Sequence, residues 1–121
     1  MRFILLAALP LLFLFSACGA DRSISGDATV KGGWKLDRAT RNNMETSLLD
    51  GLHFDFQEDG TLVTNLMGNE ADGTYEWNDT EITTEGISLP LTYTIMELTD
   101  STLNLRSKYQ GYQFDFELVK K

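Results

Sequence analysis

LHFDFQEDGTLVT, residues 52–64, decides the fold. In an extended chain successive side chains point to opposite sides, so Leu52, Phe54 and Phe56 share one face while His53 and Asp55 share the other. Asp59-Gly60 then supplies a residue free to take φ > 0, and Leu62 resumes the apolar pattern. Two short, half-buried antiparallel strands joined by a tight hairpin satisfy both features. The same alternation returns in YQFDFEL (112–118), with Tyr112, Phe114, Phe116 and Leu118 against Gln113, Asp115 and Glu117. Turn signals at 69–73, at Asn78-Asp79 and at Thr99-Asp100-Ser101 divide the remainder. Eight strands are predicted, at about 32–38, 52–58, 61–67, 73–77, 80–84, 88–97, 102–108 and 111–119.

One segment breaks the rhythm. In 42–51, Asn42 and Glu45 stand at capping-box spacing, Met44 and Leu48 are four apart, and Gly51 offers a stop. The pattern predicts a short helix between the first two strands, covering one end of the sheet.

Beyond the N-terminal apolar run the chain has ten aromatic residues. Nine of them (Trp34, Phe54, Phe56, Tyr75, Trp77, Tyr93, Tyr112, Phe114, Phe116) fall on the inward face by alternation. One-sided loading of this kind points to a single continuous core. Closing eight meandering strands on themselves removes the exposed edges that would otherwise pair with other chains. The expected fold is therefore all-β, an eight-stranded antiparallel up-and-down barrel over residues 32–121. A two-sheet β-sandwich built from the same strands is the alternative.

The 121 residues carry 10 Lys plus Arg against 18 Asp plus Glu, a net charge of −8. Nucleic acid is disfavoured as a partner, because neutralising phosphates requires a basic surface. Residues 3–15 (FILLAALPLLFLF) form an apolar run behind the single basic Arg2. That run is too short for the ~20 residues of a membrane-spanning helix, and it fits a signal peptide over 1–17. Losing Arg2 with that leader takes the net charge from −8 to −9.

Phe15-Ser16-Ala17-Cys18 closes the leader and resembles the bacterial lipoprotein processing box, with Phe15 where the box usually carries Leu. The resemblance implies cleavage before Cys18 and acylation of its thiol and new amine, with membrane attachment through two or three acyl chains. The alternative is an ordinary signal peptide with an incidental cysteine. Cys18 is the one cysteine in the chain, so the domain beyond it has no disulfide and no thiol chemistry. Residues 19–31 are small, polar and aperiodic. With Cys18 they read as a flexible tether over 18–31, with a typical reach of ~20 Å.

Gly32-Gly33-Trp34 resembles the G-x-W signature that opens the first strand of lipocalins. Phe56-Gln57-Glu58-Asp59-Gly60-Thr61, Gly73-Thr74-Tyr75-Glu76-Trp77 and Leu98-Thr99-Asp100-Ser101-Thr102-Leu103 are similar to recurrent pieces of the small lipocalin-like domains of bacterial lipoproteins. The likeness spans Gly32 to about Val119. It implies a lipocalin-like barrel in which Trp34 packs across the closed end under an arginine from a late strand, with Arg106 as the candidate. The alternative is that Arg106 simply faces outward, alternating with Leu103 and Leu105.

The resemblance further implies a small hydrophobic or amphipathic ligand. Because the inward face is bulky, the interior is expected to be largely filled by its own side chains, with any ligand at the mouth near Met44, Leu48, Leu49 and Met67. A protein-interaction or inhibitor module, docking an envelope protein through its acidic exterior, is the competing expectation. No catalytic, cofactor or metal constellation is found. His53 is the single histidine and faces outward, Asp55 and Asp115 alternate away from the phenylalanines, and residues 69–73 lack calcium-loop spacing. By resemblance to lipoprotein sorting, Gly19 after Cys18 implies the outer membrane, and the absence of an acidic cluster favours its periplasmic face.

Overall fold

Ladder pairing runs through the chain in sequence order and then returns to its start. The computed structural model describes residues 23–121; the expected leader, Cys18 with its expected acylation and the first part of the expected tether lie outside the described residues. Ten strands follow one another: β1 (Ser23–Ile24), β2 (Gly32–Arg41), β3 (Met44–Glu45), β4 (His53–Phe56), β5 (Thr61–Thr64), β6 (Ala71–Trp77), β7 (Glu81–Glu85), β8 (Thr92–Leu98), β9 (Thr102–Tyr109) and β10 (Tyr112–Lys120). Strands β2, β4, β5, β6, β7, β8, β9 and β10 each pair antiparallel with the next, and β10 pairs back onto β2. This is a closed eight-stranded barrel, and the sandwich alternative is set aside. Bulges at Asp37 in β2 and Met96 in β8 each add one residue to a strand, which bends the sheet and helps it close.

The opening stretch folds as its pattern dictates. Phe54 faces Thr64 and Phe56 faces Leu62 across the β4–β5 ladder. Gly60 takes φ +93° and donates its N–H to Gln57 O at 3.1 Å. The Asp59 carboxylate accepts the Thr61 N–H at 2.9 Å, and this bond holds the Asp59 carboxyl below the ordinary carboxylate value. Inside, Trp34, Phe54, Phe56, Leu62, Ile82, Tyr93, Ile95, Leu103 and Leu105 have no exposed surface. Phe54 stacks on Phe56, and Tyr93 meets both Phe54 and Phe116 edge-on. An eight-stranded barrel is just wide enough for such side chains to fill. The whole barrel and its core lie within 23–121, so this stretch carries its own hydrophobic interior.

Four expectations are corrected. There is no helix at 42–51. Asn42 and Asn43 take φ 51° and 68°, the left-handed pair of a two-residue hairpin turn, and β3 pairs back on β2. Asn42 exchanges backbone and side-chain bonds with Gln113 at 2.8 Å, so a long-range ladder wins over a local cap. The tether is not free over its whole length either. Beyond Ile95, β8 outruns β7, and β1 pairs parallel with Glu97 and Leu98 there, covering a bare edge. The strap then crosses the end of the barrel and buries Val30 completely.

The sixth predicted strand, 88–97, starts only at Thr92, because Pro90 cannot donate to a ladder. Tyr112, expected in the core, is 44% exposed at the barrel rim. Trp77 and Phe114 are half-buried, packed against the core's edge.

Gly73 has a specific role. A Cβ there would lie 2.3 Å from the backbone oxygen of Glu85 and 2.6 Å from Ile87 Cγ2, so β6 and the chain leaving β7 approach as closely as they do only over a bare Cα. Gly73→Ala is expected to cost ~1–3 kcal/mol through overpacking, measured by denaturant unfolding; an unchanged midpoint would mean the chains part freely to admit the methyl.

Candidate functional site: the open end of the barrel

The two ends differ in kind. At one end the N-terminal strap seals the core. The Trp34 indole N–H donates to Val30 O at 2.8 Å, and Lys120 Nζ sits 4.5 Å from the centre of the Trp34 ring while donating to Lys31 O at 3.2 Å. The cation over Trp34 is therefore Lys120 of the last strand, not Arg106. Arg106 lies opposite Asp115 on the outward face and donates its Nε–H to that carboxylate at 2.7 Å. Alternation with the buried Leu103, Leu105 and Ser107 leaves it no other side. Lys120→Met is expected to lower stability by ~0.5–1 kcal/mol, whereas Arg106→Met, which removes a half-buried pair on the outer face and leaves Trp34 covered, should not loosen the sealed end; thermal melts of both variants, with Trp34 fluorescence as the readout of that end, separate the two roles.

At the other end the loops stay open. The loop before β4 and the loop after β5 are tied through Asn65, which accepts the His53 N–H at 2.9 Å and donates to Gly51 O at 3.0 Å. The His53 ring, half-buried on the outer face, meets Glu70 at 3.0 Å. Three buried hydroxyls anchor the loop bases. Thr64 donates to His53 O at 2.7 Å, Thr84 both donates to and accepts from Leu91 at 3.1 and 2.9 Å, and Ser107 donates to Thr92 O at 3.0 Å. Each polar group inside the barrel that holds a loop is thereby satisfied, as burial requires.

Between these loops is an apolar cleft of about 160 Å³, walled by Leu48, Leu49, Met67, Leu91, Phe114 and Phe116 among others. A second cavity of about 310 Å³ lies on the far side of Leu48, Leu49, Leu66 and Met67. Four of the five large apolar side chains most exposed among the described residues stand here: Met44 (74%), Leu48 (74%), Met67 (64%) and Tyr112 (44%). Met67 is also held at φ 73°, a left-handed conformation that costs a residue with a Cβ roughly 1–2 kcal/mol. Of the four mouth residues read from sequence, Leu48, Leu49 and Met67 line the cleft. Met44 stands outside it, opposite Arg41 on the rim.

Sequence reasoning did not single out Leu89, Leu91, Tyr109 and Phe114 as cleft residues. The signal was Pro90 within Leu89-Pro90-Leu91, an apolar run that cannot continue a ladder. A larger cavity, about 430 Å³, lies on the outer face of β8, β9, β10 and β2. Four of its charges are paired, Arg38 with Glu117 at 3.0 Å and Arg106 with Asp115, while Glu97 accepts the Thr102 hydroxyl at 2.9 Å.

Three buried side-chain polar atoms among the described residues lack a partner: His53 Nδ1, Trp77 Nε1 and, in the core beneath the cleft, the Tyr93 hydroxyl. Burial pushes the Tyr93 phenol well above its ordinary value of about 10. Burial, with help from the Asp59 and Glu58 carboxylates, also raises that of Tyr75, whose hydroxyl donates to Gln57 O at 2.6 Å. The folded chain keeps these protons where the unfolded chain loses them. Their contribution to stability is thus complete below about pH 10 and is lost as pH rises further. Tyr93→Phe is expected to raise stability by ~1 kcal/mol at neutral pH and to flatten the alkaline decline, both read from melting curves across pH; a fall in stability would show that the hydroxyl is satisfied.

A closed antiparallel barrel of eight strands, filled inside and open to solvent through an apolar rim at one end, is a lipocalin-like fold. The chain is similar to a solved lipocalin-like protein from Bacteroides uniformis, with a TM-score of 0.57 and 18% identity over 76% of this chain and 98% of the other. At that identity the likeness carries the fold and leaves the ligand open. No family model and no curated protein matches the sequence.

Proposed function

We propose that this protein is a non-enzymatic lipoprotein of the bacterial outer membrane, anchored through acylated Cys18 on the periplasmic side, whose barrel binds a small hydrophobic or amphipathic molecule at its open end. One observation carries the binding role: an apolar cleft ringed by exposed Met and Leu side chains, set above a core with no room of its own. Exposed apolar groups gathered in this way mark an interaction site. The cleft is smaller than the ~300–1,000 Å³ that encloses a drug-sized ligand, so the ligand is one with a narrow apolar part, such as a short alkyl chain. Methionines suit it because they repack around different shapes. The anchor rests on the apolar run and the Phe15-Ser16-Ala17-Cys18 box.

Neutral straight-chain alcohols test the cleft. Displacement of an apolar fluorescent dye by butanol through decanol is expected to tighten about fourfold per added methylene, from ~0.8 kcal/mol each, and to level off once the cleft is full. A flat series, together with salt-sensitive capture of a basic envelope protein, would favour a docking module with a filled barrel. Intact-mass measurement of the native protein tests the anchor: the added mass of two or three acyl chains on a chain beginning at Cys18 is expected, and an unmodified mass removes that part of the proposal.

A further inference from the structure

The rim of the cleft carries a charge as well as apolar side chains. Arg41 ends β2 on the inward side of the sheet, opposite Phe114 of β10 on one flank and Met44 of β3 on the other. Its guanidinium carbon lies 5.0 Å from the centre of the Tyr112 ring, and Tyr112 meets Phe114 edge-on at 6.4 Å. Phe114 is itself a wall of the cleft. An unbroken series of contacts therefore joins the apolar floor to a cation at its edge.

The three described arginines differ in one respect. Arg38 is bound by Glu45 and Glu117, and Arg106 by Asp115, whereas Arg41 has no carboxylate within ion-pair distance among the described residues. The described lysines form no ion pair either, but Arg41 is the unpaired cation whose ladder partner, Phe114, walls the cleft. Held 5.0 Å from the centre of the Tyr112 ring, the guanidinium keeps N–H donors free for a planar or tetrahedral anion.

We infer that the open end takes an anionic single-chain amphiphile, with its alkyl chain in the cleft and its carboxylate or phosphate head on Arg41. The inference rests on the cleft being a ligand site and adds the charge and polarity of the ligand. The acidic remainder of the surface repels anions at long range, so recognition of the head depends on this one side chain. Selectivity is then set by the head, and affinity by the chain.

The test uses the chain from Gly19 onward, which contains the whole closed barrel, and compares octanol, octanoate, octyl phosphate and octyltrimethylammonium by calorimetry at low salt. Octanoate or octyl phosphate is expected to bind about tenfold tighter than octanol through charge-assisted bonds to Arg41, and the preferred head distinguishes a fatty acid from a monoacyl phosphate. Arg41→Gln should remove that advantage while octanol still binds and the chain still melts cooperatively, at a midpoint slightly lowered by loss of the Tyr112 contact, and Arg41→Lys should keep most of it. Equal binding of all four compounds, or loss of octanol and octanoate together in Arg41→Gln, overturns the role of Arg41 and leaves the cleft as a neutral apolar site. No binding of any of the four overturns the cleft as well.

Discussion

The pairing of β2 with β10 is the constraint on which the rest depends. Arg38 and Glu117, bonded across that ladder, are 79 positions apart in the chain, so the closing contact carries a large loop-closure cost that only the completed core offsets. Once made, it leaves the eight barrel strands without a free edge, and it builds both ends at once. Lys120 comes to lie over Trp34 at the sealed end, and Phe114 comes to lie against Arg41 at the open one. One ladder thus sets a closed base and a charged, apolar rim on the same two strands.

Filling the barrel moves function to its edge. Phe54, Phe56, Tyr93 and Phe116 meet ring to ring, and Trp34 bonds to backbone at the base, so large side chains occupy the middle of the barrel. The remaining apolar surface that seeks cover is on the loops, and those loops stand on a rigid footing. Thr64, Thr84 and Ser107 turn inward and spend their hydroxyls on backbone where the loops meet the strands. A stiff footing under adaptable Met and Leu side chains is consistent with a shallow site that grips a chain end, and the unpaired Arg41 beside it is consistent with a charged head.

Much of this architecture was legible in the residues. Period-two alternation in 52–56 and 112–118 placed Phe54, Phe56 and Phe116 inside, the Asp59-Gly60 turn placed a hairpin, and one-sided aromatic loading pointed to a closed sheet. Leu48, Leu49 and Met67 line the cleft, although the sequence pattern placed the first two on a helix that does not form. The helix at 42–51 was misread because capping spacing is a local signal. Asn42 and Asn43 suit a left-handed turn equally well, and the ladder with Gln113, 71 positions away, decided between them.

The sequence by itself determined strand periodicity and the excess of acid over base, because these depend only on neighbours along the chain. Tertiary structure alone decided which cation covers Trp34, that residues 23–31 lie on the barrel rather than hang from it, and that Arg41 rather than Arg38 or Arg106 is left without a carboxylate. Those outcomes depend on register between strands and on bulges at Asp37 and Met96, each of which shifts a whole strand's partners by one. Register is a property of the closed sheet, and no segment read alone contains it.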